Sequence, residues 1–223
     1  MIQDAPLAYY KMDDNVAGAF TDFSGNGNNT NSGSTNTKTN TASLILTSSD
    51  ASANYGAAGI LMNLIRLNLG FTQTKTSVEA WVNTFAGAAN NIISYGNNGA
   101  AGTSQKHQLR LGTGTPQFLC FNAAGAAQQV NATVTVNDGR THHLVGTYDG
   151  ANMNIYIDGA LNNTNATGAF TSPVFGVDTT LGISVHGVSG SNYSGFLDEV
   201  SFYDYDLTAA QVLNHYTKAT SLS

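Results

Sequence analysis

Tyr193-Ser194-Gly195-Phe196-Leu197-Asp198-Glu199-Val200-Ser201-Phe202-Tyr203-Asp204, followed by Leu207-Thr208-Ala209-Ala210-Gln211-Val212-Leu213-Asn214-His215-Tyr216, decides how this chain is read. The first half alternates apolar and polar residues, as a half-buried strand does, and the second carries the start signal and period of a short amphipathic helix. Thr208 with Gln211 three residues on forms a capping box, and Val212, Leu213 and Tyr216 share one stripe. A helix is therefore expected over 208–219, packed on a sheet. Inside the strand, Asp198 and Glu199 adjoin. Neighbouring strand side chains point to opposite faces, so the two acids are expected to face apart. One of them then faces inward or toward a sheet edge and needs a partner, because an unpaired buried charge is costly.

Working outward, short strands are expected at 7–12, 42–47, 60–69, 77–82, 92–95, 107–111, 117–122, 141–148, 153–157, 180–184 and 195–203, with Gly-rich punctuation between them. The strongest hairpin joins 141–148 to 153–157, and Asp149-Gly150 and Asp158-Gly159 supply the positive φ that tight turns need at both ends of its second strand. The 60–69 run does not separate helix from strand by period alone, and its bracketing Gly59 and Gly70 favour strand. Residues 1–6 read as an N-terminal arm. Residues 24–41, dense in Asn, Ser, Thr and Gly, read as a long polar loop. The pattern predicts one all-β domain over 1–223, an antiparallel two-sheet jelly-roll sandwich with one short C-terminal helix.

Only 10% of the 223 residues are charged, and the net charge is -6 with 8 Lys+Arg, none of them clustered. That surface excludes nucleic acid and anionic membrane as partners. The lone Cys120, in the apolar run 117–121, reads as a small buried hydrophobe, and one cysteine forms no disulfide within the chain. The N-terminus lacks the basic and apolar regions of a signal peptide, and no segment reaches transmembrane length. The expectation is a chain that leaves the cytosol by another route, or a mature or trimmed form.

Four stretches together resemble the laminin G-like, concanavalin A-like lectin/glucanase jelly-roll superfamily. They are 8–14 with 22–28 (Asp22-Phe23-Ser24-Gly25-Asn26-Gly27-Asn28), 78–82 around Trp81, 142–150 through 156–159, and 195–200 through Tyr216. Thr141 stands where the family carries an aromatic residue before the His-His pair. Asn29 replaces an acidic residue often found there, and 30–59 departs from the family pattern.

The resemblance implies one structural calcium ion where the Ser-Gly-Asn-Gly-Asn loop meets the Asp-Glu strand, with Asp22, Asn26, Asn28 and Asp198 as ligands. Calcium takes about six to eight oxygen ligands, which carboxylates, Asn side chains and loop carbonyls can provide. The alternative is that Asp22 caps a turn and Asp198 bonds backbone amides. The resemblance also makes His142 and His143 structural, and on a strand they diverge.

Glycoside hydrolysis needs two carboxyl groups across one cleft. The chain has two glutamates, Glu79 and Glu199, both within packing motifs of the family, and it lacks the Glu-x-Asp-x-x-Glu strand of glycosidases with this fold. It is therefore read as no enzyme, without catalytic or cofactor-binding residues. Tyr55, Phe170, Phe175 and Tyr193 are candidates to stack on sugar rings. The expected role is a surface module, either a virion structural or decoration protein with glycan binding, or a carbohydrate-binding adhesion module of a bacterial extracellular protein. Its partners would be a virion or cell-surface protein, a glycan, or further copies of the chain as a homo-oligomer, and its place extracellular or on a virion surface.

Overall fold

Alternating apolar residues and frequent turns give antiparallel strands, each burying one face. The computed structural model describes residues 2–14, 20–29, 39–47, 51–55, 65–66, 74–87, 90–97, 105–122, 124–169, 179–182 and 193–221. After a 3-10 turn at Ile2–Asp4 come β1 (Ala8–Tyr10), β2 (Thr39–Ala42), β3 (Ala51–Tyr55), β4 (Ile65–Arg66), β5 (Thr76–Asn83), β6 (Asn90–Asn97), β7 (Gln105–Gly112) and β8 (Thr115–Phe121). Then follow β9 (Ala127–Asn131), β10 (Thr141–Tyr148), β11 (Asn152–Ile157), β12 (Ala160–Ala166), β13 (Thr179–Gly182), β14 (Gly195–Tyr203) and α1 (Ala209–Thr220). Among the described residues one sheet runs β12-β11-β10-β5-β14-β3-β2, with β1 also paired to β14, and the other runs β4-β13-β6-β7-β8-β9. The core lies between them, where Val82, Leu144, Ile155 and Leu197 meet Leu109 and Phe118.

β14 is the spine of the first sheet. One of its edges pairs with β5 throughout. The other is shared, β3 taking Gly195 to Leu197 and β1 taking Val200 to Phe202. Asp198 and Glu199 sit at the changeover, where the register against β5 shifts and Glu199 adopts φ 50°. This extra residue is a β-bulge, and it corrects the expectation that the two acids face apart. Asp198 lies opposite Trp81, outside the core, and Glu199 accepts a hydrogen bond from the Tyr9 hydroxyl. Since Ala8 and Tyr10 fill the core, Tyr9 faces outward, and both acids lie on the outer face of the sheet.

Other departures have equally local causes. The strand expected at 42–47 lies instead at Thr39–Ala42, in the stretch expected as polar loop, and it ends there because the Ser43 hydroxyl and the Leu44 amide turn to donate to Asp198 (both 2.9 Å). Only Ile65–Arg66 of the 60–69 run lies within the described residues, and it is strand. β2, β3, β9 and β12 carry no alternation in sequence. The last two are sheet edges rich in Asn and Ala, with little apolar surface to mark them. The capping box on α1 forms as its spacing predicts. Its buried face, however, is Val212, His215 and Ala219, while Leu213 is 52% exposed. A histidine on that face follows from what lies beneath it.

Candidate functional site

The outer face of the first sheet can be read as rows running across the strands. The row through Ser201, Glu79 and Val145 and the row through Asp198, Trp81 and His143 are roofed by α1. Val212 packs with Val145 and Tyr203, Tyr216 stacks on Trp81 (5.8 Å, 7°), and Ala219 packs against Trp81 and Ile45. Helix direction thus carries the roof from one end of the sheet as far as the Trp81 row, where α1 stops.

Under the roof is a buried polar network. Glu79, fully buried, accepts from His143 Nε2 (2.6 Å), the Tyr203 hydroxyl (3.0 Å) and His215 Nδ1 (3.1 Å). The opposite ring nitrogen of His215 lies 2.6 Å from Asp4 Oδ2. Asp4 also accepts from Gln211 Nε2 (2.8 Å) and, through its carbonyl, from the Tyr205 hydroxyl, so the N-terminal turn is tied to α1. Burial opposes the charge on Glu79, but the hydrogen bonds from His143 and His215 outweigh it and hold the carboxyl below its usual range. For His215 burial likewise disfavours the cation, and the bonds to Glu79 and Asp4 prevail and raise its pKa. Two carboxylates facing both ring nitrogens make His215 an imidazolium that clamps α1 and the N-terminal turn to β5.

The residues that the resemblance offered to calcium divide between two tasks. Asp22 Oδ1 accepts from the amides of Tyr9 (3.0 Å) and Ser24 (2.8 Å), and its Oδ2 from the Ser24 hydroxyl and the Asn28 amide (both 2.8 Å). Four donors fill the acceptor capacity of one carboxylate. The Asn26 and Asn28 side-chain amides donate to the Leu7 carbonyl (3.1 and 2.7 Å). Asp198 holds Ser43 and Leu44, as above. Among the described residues no three His, Cys, Asp or Glu side chains gather as a metal cluster. Each of the four residues thus has hydrogen-bond partners within the chain, Asp22 in a turn and Asp198 on the segment after β2.

His142 and His143 diverge as expected. His142 bonds Asp158 (2.9 Å) and Asp138 (3.1 Å) at the strand end, and His143 turns to Glu79. Cys120 is fully buried, and burial raises its thiol pKa. Of the aromatic residues offered for sugar stacking, Tyr193 is buried, donating to the Phe196 carbonyl (2.8 Å). Phe170, Phe175 and the side chain of Tyr55 lie outside the described residues.

Beyond the end of the roof one row stays open. Asn54 on β3, Phe196 on β14 and Asn83 on β5 stand side by side in register, and Thr141 on β10 continues the line. With Thr84, Phe85, Ala86, Ser194 and Gly195 the first three line a cleft of about 330 Å³. Phe85, just past the end of β5, is 79% exposed, the highest value among the large hydrophobic side chains of the described residues. Its ring lies over Gly139, whose amide donates to the Thr84 carbonyl (3.0 Å). The Thr84 hydroxyl donates to the Ser194 carbonyl (2.6 Å) and Asn83 Nδ2 to the Gly139 carbonyl (2.9 Å). A chain of hydrogen bonds thus fixes the cleft floor. Sequence reasoning passed over Phe85 and Phe196, because exposure at a strand end has no periodic signal. The nearest hint was Phe85 following the outward positions Glu79, Trp81 and Asn83 at alternate residues.

A sandwich of two antiparallel sheets, one face roofed by a helix and an aromatic cleft left at its edge, is a lectin/glucanase-like architecture. The chain belongs to the concanavalin A-like lectin/glucanases superfamily, whose family model matches residues 56–213. Comparison with curated proteins finds no match. Among solved structures the chain is similar to the binding domain of Paraclostridial Mosquitocidal Protein 1, with TM-score 0.70 and 13% identity over 98% of this chain and 53% of that one. It is also similar to the botulinum neurotoxin serotype D binding domain, with TM-score 0.67 and 12% identity over 96% of this chain and 51% of that one. A third is domain 4 of AbnA, a GH43 extracellular arabinanase from Geobacillus stearothermophilus, in complex with arabinotriose, with TM-score 0.65 and 18% identity over 94% and 97% of the two chains. At these identities the likeness is one of fold. The chain spans about half the length of the two toxin binding domains. No helix among the described residues is long and apolar enough to cross a membrane.

Proposed function

We propose that this chain is a non-enzymatic recognition module, displayed outside the cell or on a virion surface, that takes a glycan in the cleft between Phe85 and Phe196. The observation that carries this reading is the exposure of Phe85 on a hydrogen-bonded base beside two side-chain amides. A sugar ring presents an apolar C–H face and a hydroxyl rim, so it pairs with an aromatic ring and neighbouring amides. The structure of an arabinanase domain in complex with arabinotriose, similar in fold, supports the glycan reading over a purely architectural role.

The acids support the absence of catalysis. Glu79 and Glu199 are 0% and 2% exposed, Glu79 bonded to His215 of the roof and Glu199 to Tyr9 of β1, and no carboxylate lines the cleft among the described residues. Hydrolysis of a glycosidic bond needs two carboxyl groups roughly 5–10 Å apart across the substrate. A neutral, Asn- and Thr-rich surface suits a module exposed on a virion or on a bacterial cell. Glycan-array binding by the intact chain, repeated with Phe85→Ala, tests the reading. Retention on glycans that the variant loses supports it, and unchanged retention by the variant removes the cleft from the function.

A further inference from the structure

We infer that the cleft selects an uncharged glycan chain, lying across the strands, and rejects acidic ones; this rests on the glycan reading above. The nine-residue strand β14 is interior to its sheet at this point, with β3 on one side and β5 on the other. Its backbone donors and acceptors are therefore engaged in the ladder, and a ligand cannot bind as an added strand. Recognition falls to side chains, and those side chains are two carboxamides, hydroxyls and two phenyl rings, none of them charged.

The hydrogen-bond inventory narrows the ligand further. Asn83 gives its Nδ2 to the Gly139 carbonyl, which turns its Oδ1 into the group offered to a ligand, an acceptor for a hydroxyl. The Asn54 carboxamide makes no protein hydrogen bond among the described residues, so it brings both donors and an acceptor. Asp198, two residues along β14 from Phe196, is engaged by Ser43 and Leu44, and Asp138, beside Gly139, by Arg140 (3.8 Å) and His142 (3.1 Å). Among the described residues lining the cleft an acidic sugar would meet no cation, which is costly even at a half-exposed site.

Register sets the direction. Asn54, Phe196, Asn83 and Thr141 occupy four adjacent strands, and strands lie about 4.8 Å apart, so the row is roughly 14 Å long. One pyranose or furanose ring spans about one strand spacing. A run of two or three sugars would lie perpendicular to the strands, one ring over Phe196 between the two amides and another against Phe85.

The test uses the intact chain against soluble arabinan, mannan and β-glucan as neutral probes, and polygalacturonate and polysialic acid as acidic ones. Affinity is measured by calorimetry at 50 and 500 mM NaCl. A neutral polysaccharide should bind with less than a twofold change between the two salt concentrations, and trimers should bind at least fivefold more tightly than the monosaccharide. Asn54→Ala, which breaks no protein hydrogen bond, should weaken that binding about tenfold with an unchanged melting temperature. Binding to the acidic probes alone, or binding that collapses at 500 mM NaCl, overturns the neutral selection while leaving the glycan reading standing. Neutral binding that survives Asn54→Ala but not Phe85→Ala overturns the row as the recognition element. Failure of every probe overturns both this inference and the reading beneath it.

Discussion

Phe85 lies so closely over Gly139 that a Cβ on the glycine would fall 1.9 Å from the ring's Cζ. Gly139 also has φ 77°, a conformation that side chains other than glycine adopt at a cost of roughly 1 kcal/mol. The exposed ring therefore lies against a glycine just before the neighbouring strand, β10. Gly139→Ala should lower the melting temperature, by about 2–4 °C for each kcal/mol lost in a chain of this size. Phe85→Ala in the same chain should recover part of that loss by removing the clash. A double-mutant cycle read by thermal melts checks this, and purely additive effects would refute the contact.

Glu79 anchors three donors from three elements, so its charge is the most expensive to lose. Glu79→Gln leaves His215 without one of its two carboxylates in a buried site, where breaking an ion pair costs about 3–5 kcal/mol. The variant should be strongly destabilised in urea. A shift in the unfolding midpoint equivalent to under about 1 kcal/mol would show that the network is not structural.

Stability should depend on pH through the same clamp. His215 has a raised pKa in the folded protein, so its contribution is complete below its unfolded value near 6.5 and is lost as pH rises through the folded value. Asp4 and Glu79 are lowered, so theirs is present above about 3.8 and 4.5 and is lost as pH falls through the folded values. His142, raised first by its hydrogen bond to Asp158, adds to the alkaline loss. Melting temperature should peak between about pH 4.5 and 6.5. His215→Gln should flatten the alkaline limb, and an unchanged limb would assign it elsewhere.

Asp22 is satisfied by four hydrogen-bond donors, and this bears on metal dependence. Excess EDTA should leave the melting temperature within about 1 °C, and added calcium should not raise it. Asp22→Ala should cost stability whether or not calcium is present, since it frees four donors at once. A calcium-dependent rise in melting temperature that Asp22→Ala abolishes would establish an ion there.

At the start of α1, Thr208 accepts from the Gln211 amide and Gln211 answers at the Thr208 amide. Thr208→Ala should cost about 1 kcal/mol, measured by denaturant unfolding. Because α1 is the roof, the loss should also loosen the Trp81 environment, seen as a red shift in fluorescence from the chain's single tryptophan.

Much of the fold was legible because it is periodic. The 141–148 and 195–203 strands and the capping box stand where alternation and spacing put them. Edge strands β9 and β12 were not legible, since exposed polar residues on both faces leave no period. The candidate site was hardly legible at all. Asp22 and Asp198 were visible as chemistry, but which donors each would meet depends on loops that approach from 13 to 155 residues away. Phe85 and Phe196 were visible only as hydrophobic residues.

The sequence by itself determined that this chain makes stacked antiparallel sheets with a helix across one of them, because local alternation, turn residues and a cap are properties of neighbouring residues. Only the tertiary structure decided what the acids and aromatics do. A one-residue bulge at Glu199 put two carboxylates on the same face against the parity of the strand, and the length of α1 decided which row of side chains stayed open to a ligand. Both outcomes arise from pairing between distant segments, and no local pattern encodes them.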